Sequence, residues 1–159
     1  RYEFFSVQSV LNPFLFVRIV PMKKIFYIAF ISLFILSCTT EDDYIQNVYV
    51  NEYIDLSLPE YDELIATGNA IFIEGGVEGI IIWHGIGNEY KVYDRNCSYE
   101  PSNPCAIIDS ISSGIAFCGC CPSAFNISNT GEPINAPALL PLKTYNWSLD
   151  NNHVLRISN

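Results

Sequence analysis

The 159 residues are of single-domain length and half of them are apolar, so the chain can bury a core of its own. Eight basic residues against seventeen acidic ones argue against nucleic acid as a partner and leave no basic patch for acidic lipids, because both kinds of binding depend on Lys and Arg. Ten Tyr, ten Phe and abundant Ile favour strands over helices.

The first part of the chain is predicted to be a processing signal that takes no part in the fold. Met22 is the only methionine, and Lys23-Lys24 is followed by an almost wholly apolar run from Ile25 to Leu36. This run is short for a membrane span, which needs about 20 residues. Residues 1–21 precede the start at Met22 and show no clear helical or strand period, so we expect them to be an upstream extension absent from the native protein.

The end of the apolar run, Ile35-Leu36-Ser37-Cys38, resembles the lipobox of bacterial lipoproteins. The resemblance implies that residues 22–37 are a signal peptide and that Cys38 is acylated and becomes the mature N-terminus. An uncleaved signal anchor is the alternative. The implied location is the bacterial cell envelope, periplasmic or surface-facing, where the lipid on Cys38 anchors the domain to a membrane in an oxidising compartment.

Residues 38–46 are then a tether that contains the acidic run Glu41-Asp42-Asp43. It is interpreted either as a solvated linker or, because it resembles the surface-export signal of Bacteroidetes lipoproteins, as a sorting signal. The mature chain keeps four basic and sixteen acidic residues, a net charge of −12.

Residues 47–159 are predicted to form one domain of short strands between turn signals such as Gly75-Gly76 and Asp150-Asn151-Asn152. One helical turn is expected at 61–66. Strands are expected at 48–58, 70–73, 80–83, 90–93, 106–108, 115–117, 124–127, 144–149 and 154–157. This spacing predicts an all-β fold, a small antiparallel barrel or sandwich. Trp83 and Trp147 lie on predicted strands and are expected in the core.

Five cysteines form two clusters where the strand pattern breaks into loops, Cys97 with Cys105 and Cys118 with Cys120 and Cys121. Two thiol-bearing loops that face one another can hold a metal ion or a disulfide. With Cys38 acylated, an odd number of thiols remains, so one bridge leaves three thiolates and two bridges leave one free thiol. Three thiolates and a fourth group would suit zinc, whereas bridges alone would simply staple the loops together.

The two loops resemble the cluster-binding loops of Rieske iron-sulfur domains. The first reads Cys97-Ser98-Tyr99 and the second reads Cys118-Gly119-Cys120-Cys121-Pro122-Ser123-Ala124-Phe125. Flanking stretches, Tyr93-Asp94-Arg95 and Ala136-Pro137-Ala138, extend the resemblance over roughly residues 70–158. It implies a Rieske-type β domain with both cysteine loops at one tip.

The resemblance also implies the roles of individual residues. The metal ligands would be Cys97, Cys118, Cys121 and Tyr99, with Tyr99 and Cys121 replacing the two cluster histidines of the family. Some respiratory members carry a disulfide between the loops, and its positions correspond to Cys105 and Cys120, although Cys105 lies farther from Cys97 than the family pattern allows.

The missing histidines separate this chain from a conventional Rieske centre, whose imidazole ligands raise the reduction potential. The two histidines present, His84 and His153, are expected to be ordinary structural or exposed residues. Tyr99 is a poor fourth ligand, because a phenol with a pKa near 10 is mostly protonated at neutral pH.

The sequence therefore predicts a membrane-anchored envelope lipoprotein whose Rieske-like domain, stabilised by a disulfide or a metal, is a structural or binding module. The alternative is an electron-transfer protein with a 2Fe-2S cluster in a Cys-rich variant site. The site is expected to hold either no cofactor or a zinc ion in preference to that cluster. The reason is that the signal lacks the twin arginines that accompany export of prefolded cofactor proteins. No catalytic constellation is visible. The loop from Cys97 to Cys105 is the expected contact for an envelope protein or redox partner.

Overall fold

The structure of the chain is a computed structural model that describes residues 43–159. The predicted extension, the signal peptide, the acylated Cys38 and the first residues of the tether lie outside these described residues. Among the residues that are described, no helix is long and apolar enough to cross a membrane.

Ten strands and one short 3-10 helix follow one another in the described part of the chain. The helix spans Pro59–Ile65, between the first two strands. The strands are β1 (Asn51–Asp55), β2 (Ala70–Ile73), β3 (Ile80–His84), β4 (Tyr90–Asp94), β5 (Ile108–Ser112), β6 (Ile115–Cys118), β7 (Ala124–Asn126), β8 (Glu132–Asn135), β9 (Asn146–Leu149) and β10 (Val154–Ser158).

The strands form three antiparallel sheets, with strand orders β1-β10-β9, β2-β3-β4 and β5-β6-β7-β8. Every pairing between named strands is antiparallel. The predicted all-β antiparallel fold is therefore confirmed.

β3 lies at the centre of the molecule, and all five of its residues are buried. A strand covered on both faces is expected to be a continuous apolar run rather than an alternating one, and β3 reads Ile-Ile-Ile-Trp-His. Successive side chains of a strand point to opposite faces. Ile81 and Trp83 accordingly pack into one core, while Ile80 and Ile82 pack into the other.

The two cores have different neighbours. The first core lies between β3, β4 and the β5-β6-β7-β8 sheet, and it contains Cys97 and Cys118. The second core lies between the other face of the same strands, the 3-10 helix and the β1-β10-β9 sheet, and it contains Leu64 and Leu155. The cysteines are thus anchored in a packed interior, which limits how far their sulfur atoms can move.

The 3-10 helix begins with Pro59, close to the helical turn predicted at 61–66. Proline suits a first helical position because its missing N–H has no partner there in any case. Leu64 anchors the helix by burying its side chain in the second core.

Three sequence predictions are corrected by the structure. The strand expected at 106–108 instead begins at Ile108, and Ile107 only bridges to Asn96. β8 (Glu132–Asn135) was not predicted, because Pro133 is unfavourable in a strand and the segment is short. Trp147 was expected in the core but is 36% exposed, and it packs its edge against the Tyr90 ring at 5.6 Å.

Candidate metal centre

The first cysteine loop, residues 95–107, begins where β4 ends at the buried Asp94. The Asp94 carboxylate accepts hydrogen bonds from the backbone N–H groups of Val77 and Asn96, both at 2.8 Å, and from the Tyr145 hydroxyl at 2.5 Å. The Cys97 N–H then donates to the Ala106 carbonyl at 2.7 Å. These bonds fix the path of the backbone on both sides of Cys97.

The second cysteine loop, residues 118–123, joins β6 to β7. The Cys118 N–H donates to the Ser123 carbonyl at 3.1 Å and closes the loop. The Gly119 N–H donates to the Ile107 carbonyl of the first loop at 2.9 Å. The backbone itself therefore holds the two loops side by side.

A third stretch of chain, residues 135–140, crosses both loops and is called here the covering segment. The Ala138 N–H donates to Ser123 Oγ at 2.9 Å in the second loop, and Ser98 Oγ of the first loop donates to the Leu140 carbonyl at 2.5 Å. The tip of the domain is thus built from three segments that hydrogen-bond to one another.

Three cysteines meet at this tip. The sulfur atoms of Cys97, Cys118 and Cys121 all lie within 4.8 Å of one another; the first two side chains are buried and the third is half-buried. The Cys97 and Cys121 sulfurs are 3.9 Å apart. Two sulfurs bound to one tetrahedral ion at about 2.3 Å per bond are about 3.8 Å apart. Cys97 and Cys121 therefore have the spacing of two ligands that share a single ion, and the third sulfur lies close enough to join them after a small movement.

The other two cysteines form a disulfide. Cys105 of the first loop is bonded to Cys120 of the second, with a Cα–Cα distance of 5.3 Å that is ordinary for a disulfide. The bond links the loops without using any of the three clustered thiols.

The local environment affects the clustered thiols differently. Burial raises the pKa of Cys97, although the backbone N–H of Tyr99 donates to its sulfur and acts in the opposite direction. For Cys121, burial also disfavours the thiolate, but hydrogen bonds from the side chain and backbone of Ser123, and from Cys118 and Cys97, outweigh it and lower the pKa.

Ser123 holds a particular place in this network. Its Oγ accepts hydrogen bonds from the Ala138 N–H at 2.9 Å and from the Cys121 thiol at 3.2 Å. When that thiol ionises, the Ser123 hydroxyl can donate to the thiolate instead, which lowers the pKa of Cys121. The side chain is also buried, with 1% exposure. Ser123 was part of the loop motif, but the sequence predicted no function for it. Its position two residues after Cys121 was the only sequence feature that could have indicated a hydrogen bond to that cysteine.

Tyr99 is half-buried and packs against the first core. Its hydroxyl hydrogen-bonds to Glu100, and that bond together with the negative charge of Glu100 raises the pKa of Tyr99. The phenol form is then favoured even more strongly at neutral pH, which weakens Tyr99 as a donor to a metal. Its role as a fourth ligand remains a prediction.

The histidines lie in other parts of the domain. His84 Nε2 donates to the Gly87 carbonyl at 2.7 Å, and the ring stacks on Tyr90 with centroids 4.8 Å apart. His153 is exposed in the β9–β10 turn. Within residues 43–159, no histidine joins the three clustered cysteines. The two-cysteine, two-histidine donor set of a conventional Rieske cluster therefore does not fit the residues present.

Comparison with known proteins gives one kind of match. No protein-family model and no curated protein matches the chain. Among solved structures, the complex of reduced oxygenase and oxidized ferredoxin in carbazole 1,9a-dioxygenase includes a chain that is 14% identical, with a TM-score of 0.46, over 70% of this chain and 94% of that one.

Two further solved structures are similar to a comparable degree. The ferredoxin of carbazole 1,9a-dioxygenase from Nocardioides aromaticivorans IC177 is 16% identical, with a TM-score of 0.42, over 70% of this chain and 97% of that one. The Sphingomonas yanoikuyae B1 ferredoxin is 16% identical, with a TM-score of 0.44, over 61% of this chain and 93% of that one.

Two of these neighbours are ferredoxins and the third is a complex that contains one. At this level of identity and TM-score the likeness carries no argument about the function of this chain or about what its cysteines bind.

Proposed function

We propose that the chain is a cell-envelope lipoprotein whose Rieske-like domain binds one thiophilic metal ion, of the zinc class, between its two cysteine loops. The domain is a structural or binding module rather than an enzyme. The observation that supports this most directly is the cluster of Cys97, Cys118 and Cys121, whose sulfur atoms all lie within 4.8 Å of one another.

The surroundings of the cluster favour an ion over three free thiols. The Cys105–Cys120 disulfide already joins the loops, so the clustered thiols are not needed to staple them. Burying a negative sulfur is unfavourable unless a cation or hydrogen bonds compensate it. The Tyr99 N–H donates to Cys97, and Ser123 hydrogen-bonds to Cys121. A bound cation would supply the remaining compensation and use all three sulfurs.

Chain length and charge are consistent with a module of this kind. The chain from Cys38 onward is strongly acidic, with four basic and sixteen acidic residues. Lipidation at Cys38, proposed from the lipobox resemblance, would hold this domain at a membrane of the cell envelope.

A second candidate is an electron-transfer protein with a 2Fe-2S cluster in a Cys-rich variant of the Rieske site. The N–H groups of Tyr99 and Ser123 that donate to Cys97 and Cys121 favour it, because hydrogen bonds to the sulfurs are one of the ways in which proteins tune such clusters. The ligand spacing and the missing histidines favour the single ion.

The experiment is metal analysis, an absorbance spectrum and a free-thiol count on the full-length protein, purified from the native envelope in detergent. We expect stoichiometric zinc, no visible charge-transfer bands, and three thiols that react only after the ion is removed. Cys121→Ser should lose the ion, whereas the control Ser128→Ala, at an exposed serine outside the loops, should keep it. Iron with visible bands would support the second candidate. A metal-free protein with one reactive thiol would overturn both candidate functions. Disulfide bonds alone would then hold the two cysteine loops together.

A further inference from the structure

The first described residues of the chain run along the cysteine-bearing tip. The Asp43 carboxylate accepts hydrogen bonds from Ser102 Oγ at 2.9 and 2.8 Å, and Ser102 belongs to the first cysteine loop. The Tyr44 hydroxyl donates to the carbonyl of Pro141, next to the covering segment, at 3.1 Å. Ile45 then buries its side chain. The chain therefore enters the domain at the end where the cysteines lie.

The distance from this entry point to the proposed lipid is short. Five residue steps separate Cys38 from Asp43, and a fully extended chain covers at most about 18 Å over that length. Acyl chains on Cys38 would therefore keep the Ser102 loop within about 18 Å of the lipid surface. The β3–β4 turn, which contains Ile86, is at the opposite end of β4 from Cys97. It would therefore lie farther from the lipid surface than the Ser102 loop.

The surface at the tip carries two exposed leucines. Leu139 is 87% exposed and Leu140 is 39% exposed, and both belong to the covering segment. The sequence carries no charged residue from Pro133 to Leu142, although the chain as a whole is strongly acidic. Two neighbouring exposed leucines in an uncharged stretch can enter the interfacial region of a bilayer without burying a charge.

We propose that the acylated protein rests its cysteine-bearing tip on the membrane, with Leu139 and Leu140 in the interfacial region of the bilayer. This inference depends on the proposed lipidation of Cys38 but not on the metal site. Asp43, Glu100 and Asp109 lie at the two cysteine loops and disfavour anionic headgroups, so the matching surface is zwitterionic lipid.

The test uses the full acylated chain in phosphatidylcholine vesicles that contain lipids with a doxyl quencher near the headgroup. Leu139→Trp places a fluorophore at the tip, and Ile86→Trp is the matched control because Ile86 is also 85% exposed but lies at the far end of β4. The wild-type signal from Trp83 and Trp147 is subtracted from both. We expect quenching at position 139 to exceed that at position 86 by at least about twofold.

The other outcomes overturn the inference in distinguishable ways. Equal quenching at the two positions would mean that the domain has no fixed orientation. An unquenched Leu139→Trp that becomes shielded only when envelope proteins are added would replace the lipid by a protein partner. If mass spectrometry found Cys38 without acyl chains, the domain would lack the proposed lipid anchor and the proposed orientation would be wrong. None of these results changes the metal content, which tests the proposed function separately.

Discussion

The sulfur atoms of Cys97 and Cys121 lie 3.9 Å apart, although 24 residues separate the two cysteines along the chain. They are not bonded to one another, and their surroundings differ. Cys97 is fully buried, whereas Cys121 is half-buried and hydrogen-bonded to Ser123. A thiol must reach solvent and ionise before it reacts, so two neighbouring sulfurs in one site are expected to react at different rates.

The first prediction concerns those rates in the protein stripped of metal. With an aromatic disulfide reagent at mildly alkaline pH, we expect Cys121 to react first, because it is the more exposed and its pKa is lowered. Cys97 should react last, because it is buried and its pKa is raised. Cys121→Ser should abolish the fast phase, whereas the control Cys118→Ser should retain it. A fast phase that survives in Cys121→Ser would show that another thiol is the accessible one.

The second prediction concerns the disulfide. Cys105 and Cys120 are 15 residues apart in sequence, and closing a loop of this length contributes about 3 kcal/mol to stability in the chain-entropy account. We expect the double variant Cys105→Ser, Cys120→Ser to lose about that much free energy of unfolding, measured by urea titration of metal-free protein. A reducing agent should bring the wild type down to the level of the variant and should leave the variant itself unchanged. Equal urea midpoints for oxidised wild type and variant would contradict the prediction.

The third prediction concerns alkaline pH. Tyr145 is buried, and its hydroxyl donates to the Asp94 carboxylate at 2.5 Å. Burial first, and then the hydrogen bond to Asp94 and its negative charge, raise the pKa of Tyr145 above its ordinary value. A folded-state pKa above the unfolded value of about 10 means that the stabilisation is complete below about pH 10 and is lost as the pH rises through the folded-state pKa.

The measurement is the free energy of unfolding between about pH 8 and pH 11, with tyrosinate absorbance recorded in parallel. Stability should fall from about pH 10 upward, and Tyr145→Phe should show a shallower fall. Some slope will remain in the variant, because burial also raises the pKa of Tyr93. Parallel pH profiles for wild type and Tyr145→Phe would exclude the buried pair as the cause.

Much of the fold could be predicted because its central strands carry strong local signals. β3 is a continuous apolar run, and the turns at Gly75-Gly76 and at Asp150–Asn152 divide the pattern clearly. β5 (Ile108–Ser112) and β8 (Glu132–Asn135) carry weak signals, since one contains Asp109 and Ser110 and the other contains Pro133. These strands are stabilised by pairing with their neighbours in the sheet, which propensity does not capture.

The candidate site shows the same division. The clustering of Cys97, Cys118 and Cys121 was expected from the resemblance of the two loops to Rieske cluster-binding loops. The docking of Asp43 on Ser102 was not predicted, because 59 residues separate them and no local pattern links two exposed polar side chains. The covering segment was likewise noted only as a flanking stretch. Contacts between segments distant in sequence depend on the tertiary fold, which no local pattern encodes.

The last prediction concerns Ser123, which connects Cys121 to the covering segment. Its hydroxyl oxygen accepts hydrogen bonds from the Ala138 N–H and the Cys121 thiol, and its proton can be donated to Cys121 once that thiol ionises. Ser123→Ala would leave the buried Ala138 N–H without its acceptor, a loss of about 1–3 kcal/mol, and would remove one donor that favours the Cys121 thiolate. We expect both a lower free energy of unfolding and weaker zinc binding, measured by competition with a chromophoric chelator.

The control separates these two effects. Ser128 also makes a side-chain hydrogen bond, to Asn126 at 2.7 Å, but it is exposed and lies outside the cysteine loops. Ser128→Ala should therefore change stability by less than about 0.5 kcal/mol and leave zinc affinity unchanged. If Ser123→Ala lowered stability but bound zinc as tightly as the wild type, Ser123 would only secure the covering segment. Weaker zinc binding specific to Ser123→Ala would instead identify it as the residue that positions Cys121 for the ion.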